Sequence, residues 1–320
     1  MISKNESDLV LCATDFINPD VVERLRTGTL FGHITEYCNL DAKAKELDYS
    51  VPIRKRGQSL RNQLDKWVGR KQLDYDNIFI FNDASVWGRW LNSHKIYYHL
   101  LEDGLNCFQL PGFLEYNTPG NPFKRAIKRR MGIDFANFGQ SRFTKSVEVN
   151  TKDGILLRSK KVKEVPKKTL FEQLSVADKK QLVSLFLSKQ QQQELSFFSK
   201  REATLLITQP LSEDGHTDES GKLRLYQELL EQYAVGTVLI KTHPRENTDY
   251  EAYFPGEHIL KMDRIPLEVL NFVEGFQIKR AITTYSTAIA ALDFCKEHII
   301  LGYEETLKRL KGYRKIESNE

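Results

Sequence analysis

Three short stretches of this 320-residue chain carry side chains suited to moving a proton or holding an anion. The first is Leu239-Ile-Lys-Thr-His-Pro-Arg245, an apolar run that reads as a buried strand ending at His243. Pro244 fixes the chain behind the imidazole, and Lys241 and Arg245 flank it. In open α/β sheets ligands sit at the carboxyl ends of strands, so an imidazole there can bind a phosphate or protonate a leaving group. The second stretch is Ala281-Ile-Thr-Thr-Tyr-Ser-Thr-Ala288, where Ser286 and Thr287 follow a strand and open a helix predicted over 286–294. Their hydroxyls and the free N–H groups of a first helical turn would face a common anion. Alone, the segment is an ordinary Ser/Thr cap; beside His243 it suggests a leaving group carrying one or two phosphates. The third stretch is Glu102-Asp103-Gly104, after a strand predicted over 95–101. Gly104 permits a tight turn that presents a carboxylate, a candidate general base for an acceptor hydroxyl. By itself such a triplet is also a common acidic surface turn.

The elements that must position these groups follow from hydrophobic pattern. Asp8–Thr14 reads as a first strand and Asn18-Pro19 as a helix start. Helical spacing recurs over 59–68, strands are predicted over 76–81 and 95–101, and a helix begins at Val86. Strand Ala203–Thr208, a polar loop 212–221, a helix 222–233, the His243 strand, a helix near Pro266, a strand 279–283 and a last strand 298–301 complete the series. Alternation of this kind predicts an α/β fold with doubly wound, mostly parallel sheets. The chain is longer than one core usually supports, so two domains are expected. Composition turns linker-like between Val165 and Lys200, with a helix over 170–187. The expected division is therefore 1–165, a helical linker 166–200, and 201–320.

A net charge of +4 is too mild for a duplex-binding protein, and no nucleic-acid-binding signature is present. Basic residues nonetheless crowd between Lys124 and Lys168, and Lys124, Arg125, Lys128 and Arg129 sit on a predicted cationic amphipathic helix over 123–131. That helix reads either as a solvated face or as a contact for an anionic acceptor or lipid surface. Cys12, Cys38, Cys107 and Cys295 show no CxxC spacing, which argues for reduced, buried thiols in an intracellular protein and against a zinc site. No DxD-like triplet, P-loop or dinucleotide fingerprint stands out. The apolar run at Leu9–Ala13 is too short for a signal peptide or membrane span.

The order strand-Glu-Asp-Gly, strand-Lys-x-His-Pro, Ser-Thr resembles the bacterial sialyltransferases of the lipooligosaccharide and capsule type. These are glycosyltransferase family 52, related to the polysialyltransferases of family 38. The matching residues are Glu102, Asp103, Gly104, His243, Pro244, Ser286 and Thr287. The resemblance implies a GT-B-like arrangement of two facing Rossmann-like domains, CMP-sialic acid as donor, inversion at the anomeric carbon, and no metal or other cofactor. It also implies roles: Asp103 as base with Glu102 beside it, His243 as general acid on the CMP phosphate, and Ser286 and Thr287 as phosphate ligands. The implied partners are the nucleotide-sugar donor and a glycan or lipid-linked acceptor; no nucleic acid is expected, and peripheral membrane contact at the cytoplasmic face and a homodimer are further expectations. In some lipooligosaccharide enzymes the base follows the first strand of the second domain, which here makes Glu213 or Asp214 a competitor. Two other readings stand beside this one. Thr283-Thr-Tyr-Ser-Thr287 resembles the T-D-Y-S-S stretch of CDP-glycerol and CDP-ribitol phosphotransferases, with Thr284 in place of the aspartate. A non-catalytic, glycan-binding protein of the same fold is the other.

Overall fold

The computed structural model describes residues 7–12, 17–37, 52–68, 75–103, 106–109, 122–132, 134–199, 201–260, 262 and 264–317. Gly104 lies outside them, as do Cys38 and the side chains of Cys12, Cys107 and Thr287. Contacts divide the chain into two units. One combines Met1–Thr35 with Leu174–Glu320 and the other is Glu36–Gln173.

The first 35 residues thus go with the second half of the chain, unlike the division expected from composition. Strands β1 (Leu9–Cys12) and β2 (Ile34–Tyr37) form a two-stranded sheet, joined through the helix Pro19–Thr27 that Asn18 caps. Val21, Val22 and Leu25 of that helix bury against Leu11 and Leu185. Arg24 donates to the carbonyls of Leu185 (2.6 Å) and Phe186 (3.1 Å), where the helix Val176–Phe186 ends. A guanidinium there satisfies carbonyls left open by the helix and meets the negative end of its dipole.

The unit Glu36–Gln173 is built on a parallel sheet in the order β3 (Phe79–Ile80), β4 (Tyr98–Leu101), β5 (Thr144–Val149), β6 (Val162–Glu164). Helices Ile53–Val68 and Val86–His94 cover it, packing Leu60, Leu64, Trp90 and Leu91 onto Tyr98, Leu100, Val147 and Val149. Strands β5 and β6 are absent from the sequence reading. In Thr-Lys-Ser-Val-Glu-Val, Lys145 and Glu148 interrupt the apolar run, yet Ser146, Val147 and Val149 are buried. The basic helix appears as Pro122–Arg130.

The predicted helix 170–187 is two helices, Lys167–Glu172 and Val176–Phe186. Ser175 and Asp178 form a reciprocal capping box that starts the second afresh. Lys189–Phe198 follows with its own box from Ser188 and Gln191.

The other sheet runs β11 (Cys295–Ile300), β10 (Ile278–Thr283), β7 (Ala203–Ile207), β8 (Thr237–Lys241), β9 (His258–Ile259), all parallel. Alternate strand residues feed two cores. Leu205, Ile207, Leu239 and Ala281 face one, which also holds Leu195, Phe198 and Ile289. Leu206, Val238, Ile240 and Ile282 face the other, with Leu225, Tyr226 and Leu229 of the helix Glu219–Tyr233 and Leu310 of the helix Tyr303–Glu317. The chain after β7 therefore crosses one face of the sheet, while the chain after β10 packs on the opposite face. Adjacent strands whose connections diverge in this way open a crevice at their carboxyl ends, the usual ligand position of such sheets.

Candidate active site

Register sets the height of that crevice. Ile207 pairs with Lys241 on one side and with Thr283 on the other, so the loops starting at Thr208, Thr242 and Thr284 leave the sheet at one level. His243 and Ser286 belong to these loops.

His243 is held by its backbone. Its N–H donates to Glu246 Oε2 (2.7 Å) and to Thr208 Oγ1 (3.1 Å). Its Nδ1 accepts from the Arg245 N–H at 3.2 Å, which in the neutral ring places the proton on Nε2. Burial, reinforced by the charges of Arg245 and Lys241, holds the imidazole below its ordinary pKa, with Glu246 and Asp214 pulling the other way. The free protein thus offers a neutral ring with an Nε2–H donor. A nearby anion would stabilise a second proton on it.

Beneath this loop lies an ionic network that the sequence reading missed. Lys222, on the helix Glu219–Tyr233, is 0% exposed, and Glu246 has 1% of its side chain exposed. The Lys222 ammonium lies 3.2 Å from Glu213, 3.0 Å from Glu219 and 3.7 Å from Glu246, and donates to Thr248 Oγ1 at 2.5 Å. Glu246 also accepts from Tyr250 Oη (2.7 Å) and from the Thr208 hydroxyl. Tyr226 Oη accepts from the Gln209 N–H (2.6 Å) and donates to the Gln209 carbonyl (2.9 Å). A buried ammonium is tolerated only when carboxylates surround it, and the arrangement fixes the loops after β7 and β8 together.

The remaining sequence candidates have distinct surroundings. Lys241 is buried and its ammonium donates to the Thr242 carbonyl at 2.8 Å, so it turns to backbone rather than outward. Pro244 is exposed. Ser286 precedes a short 3-10 turn, Thr287–Ala291, and not the predicted helix 286–294. Its hydroxyl caps nothing, while its N–H donates to Thr283 Oγ1 at 3.3 Å. A single 3-10 turn carries little of a helix dipole, which removes that part of the phosphate-binding argument.

Asp214 makes a bidentate pair with Arg245, at 2.7 and 3.1 Å. Arg245 holds the carboxyl below the usual carboxylate range. Glu213 is taken up by Lys222 and the Asn247 N–H (3.1 Å); its hydrogen bonds hold its pKa down although burial alone would raise it.

In the other unit Glu102 and Asp103 separate in role. Glu102 accepts from the Asn150 N–H at 2.6 Å and lies 4.0 Å from Lys167, tying the end of β4 to the chain beyond β5. Asp103 makes no hydrogen bond among the described residues. Although Asp103 is exposed overall, partial burial raises its pKa, with Lys167 opposing. It borders a small hollow with Phe81, Asn82, Asp83, Phe108 and Phe138. Asp83 is fully buried and accepts from the Phe138 N–H (2.5 Å), the Gly139 N–H (3.0 Å) and Tyr98 Oη (3.1 Å). Burial raises its pKa in spite of those bonds.

Lys124, Lys128 and Arg129 are exposed and Arg125 is half-buried. Arg129 pairs with Asp134 at 3.6 Å. Phe123 and Ile127, four residues apart on the same helix, are also exposed. Among the described residues no group of three or more His, Cys, Asp or Glu is placed to hold a metal ion, and no helix is long and apolar enough to cross a membrane. Cys295 is buried, which raises its thiol pKa.

An uncharacterized protein of Haemophilus influenzae is 28% identical over 207 residues, 64% of this chain and 61% of that protein. The match therefore spans about three-fifths of the relative's length. Three solved structures overlap at low sequence identity. The α/β-galactoside α-2,3-sialyltransferase of Photobacterium phosphoreum is 11% identical with a TM-score of 0.48, covering 96% of this chain and 95% of that one. A sialyltransferase from Photobacterium damsela is 10% identical with a TM-score of 0.45, covering 92% and 74%. The UDP-GlcNAc 2-epimerase of Methanocaldococcus jannaschii is 10% identical with a TM-score of 0.45, covering 95% and 91%. Residues 33–305, which contain each of the three motifs, match glycosyltransferase family 52, and the chain belongs to that family.

Proposed function

We propose that this chain transfers sialic acid from CMP-sialic acid to a hydroxyl of a surface glycan of capsule or lipooligosaccharide type, inverting the anomeric carbon and using no metal. The observation that carries the reading is the His243 ring, with Nδ1 engaged by the Arg245 N–H and Nε2–H left to donate, at a strand-end crevice of a family 52 chain. In the reaction the acceptor oxygen bonds to the anomeric carbon while the bond from that carbon to the CMP phosphate oxygen breaks. His243 Nε2–H donates to the departing phosphate, whose charge raises the proton affinity of the ring. Ser286 and Thr287 supply further donors to that phosphate. Asp103 takes the acceptor proton, since a carboxyl with a raised pKa is the better acceptor, while Asp214 is engaged by Arg245.

The helix Pro122–Arg130 would draw an anionic or lipid-linked acceptor at the cytoplasmic face of the membrane, its five cations flanking the exposed Phe123 and Ile127. The phosphotransferase reading loses its support at position 284, where the Thr284 side chain is fully buried rather than offered to a ligand.

The test is incubation with CMP-sialic acid or CDP-glycerol and a panel of glycan acceptors. Consumption of CMP-sialic acid with release of CMP, lost in His243→Ala by about 10²–10⁴-fold, is the expected result. Turnover of CDP-glycerol alone, or near-normal turnover in the variant, overturns it.

A further inference from the structure

His243 makes three hydrogen bonds within its own four-residue turn. Its N–H donates to Glu246 Oε2 at 2.7 Å, its carbonyl accepts from the Glu246 N–H at 3.0 Å, and its Nδ1 accepts from the Arg245 N–H at 3.2 Å. Pro244 has no N–H to compete. Glu246 thus closes the turn from both ends, its side chain reaching back as the returning arm of a capping box does. The device is a costly one. Thr283 closes the turn after β10 with a single hydroxyl, which accepts the Ser286 N–H at 3.3 Å. After β8 the same task falls to a carboxylate with 1% of its side chain exposed, balanced by the 0% exposed Lys222 at 3.7 Å. Burying charges is expensive even when they pair, so a neutral side chain would serve turn closure alone at less cost. Glu246 is seated in turn by Tyr250 Oη at 2.7 Å and by the Thr208 hydroxyl, so its position is set by the loop after β7, the helix Glu219–Tyr233 and the short helix Tyr250–Tyr253.

We propose that Glu246 is the positioning residue of His243, holding both ends of the turn so that the ring keeps its proton on Nε2 and points it in one direction. The proposal rests on the general-acid role given to His243. A displaced Glu246 would carry the His243 N–H and carbonyl with it and would break the alignment of the Arg245 N–H on Nδ1, the bond that selects the tautomer. A misplacement of about 1 Å at a reacting group is enough to cost about 10²-fold in rate.

The experiment compares E246A, E246Q, H243A and the double variant H243A/E246A in transfer from CMP-sialic acid, and reads the ring-nitrogen shifts of His243 by NMR without substrate. In E246A the Lys222 ammonium still has Glu213 at 3.2 Å and Glu219 at 3.0 Å, so no unpaired cation is left. E246A should lower kcat by about 10–100-fold with the donor KM within about threefold, and should turn the single ring tautomer into a mixture. E246Q keeps an oxygen for the His243 N–H and should recover most of both. In the H243A background E246A should cost less than about twofold, because a residue that acts through His243 then has nothing to position. Equal losses with and without His243 overturn the proposal and leave Glu246 a structural group. So does a near-wild-type kcat, or an unchanged tautomer, in E246A. If E246A does not fold, T208V carries the same comparison, since Thr208 Oγ1 accepts the His243 N–H at 3.1 Å and donates to Glu246. It should lower kcat by about threefold or more only where His243 is present, and equal losses in both backgrounds overturn the proposal. A tautomer shift in E246A, in a protein whose wild type leaves CMP-sialic acid intact, sinks the reaction and keeps the positioning role.

Discussion

Asp214 and Asp103 each follow the carboxyl end of a parallel strand, one in each unit, and their surroundings are opposite. Around Asp214 the groups are committed to one another: Arg245 clamps it, Lys222 gathers three glutamates, and Glu246 takes the His243 N–H. Around Asp103 there are aromatic rings and one distant-acting cation, Lys167. Wiring of the first kind lowers a carboxyl pKa and fixes the loops that carry it. Partial burial of the second kind raises a carboxyl pKa, which suits proton abstraction.

The largest expected effect tests that contrast directly. Asp103→Asn should lower transfer by about 10²–10⁴-fold while CMP binding persists, and Asp214→Asn should be mild. The reverse ranking, measured on folded protein with the same donor and acceptor, would assign the base to the wired edge.

Next in size is the wiring itself. Lys222→Met removes the cation shared by Glu213, Glu219 and Glu246, and should cost about 3–5 kcal/mol in urea unfolding, because Glu246 remains buried without its cation. A loss under about 1 kcal/mol would show the network to be hydrated and dispensable.

A smaller effect distinguishes the cationic helix. Activity on an anionic, lipid-linked acceptor should fall with salt more steeply than on a neutral soluble glycan, since charges are screened over about 10 Å at 0.1 M. Replacing Lys124, Lys128 and Arg129 with Gln should remove that difference, and an unaltered salt response would leave the helix a solvated face.

The smallest is a pH dependence. The His243 pKa is depressed from its ordinary 6.5, so the ring is neutral at pH 7 and gains a proton only as pH falls through the lowered value. Because a bound phosphate raises the proton affinity of the ring, the ratio of CMP affinities, wild type over H243Q, should rise as the solution is acidified and level off only below the lowered value of the free protein, the ratio cancelling the ligand's own titration. A ratio that falls on acidification would contradict an imidazole facing the phosphate. The sign for folding is the opposite: the unfolded chain binds that proton more readily, so His243 costs stability as the solution is acidified.

Much of the His243 edge was legible in the sequence because a buried strand announces itself locally. Leu239-Ile-Lys-Thr-His gives both β8 and the position of His243 at its end. The parallel α/β class followed from the same alternation. What stayed hidden depends on partners far apart in the chain. Nothing near Lys222 says that Glu246 will neutralise it, and on a helix it reads as a solvated residue. Strand β5 was obscured because its burial comes from the helices that cover it, while Lys145 and Glu148 break its apolar pattern. Ser286-Thr287 looked like a helix start, but the following Ala-Ile-Ala-Ala makes only a 3-10 turn before Leu292 and Phe294 enter the core. The opposite pKa shifts of Asp103 and Asp214 have no local signature, since one depends on rings brought from three segments and the other on Arg245 across a loop.

The packing of the helix Pro19–Thr27 on Leu185 and Phe186 has a consequence for the order in which the protein is made. The unit that holds His243 is discontinuous, its first 35 residues separated from the rest by the whole of Glu36–Gln173. On the ribosome the intervening unit emerges as one uninterrupted segment and can fold while synthesis continues. The amino-terminal helix must wait through that interval with Val21, Val22 and Leu25 covered only by Leu11 and its own segment, and a nascent chain stopped before residue 185 has nothing for Arg24 to hold.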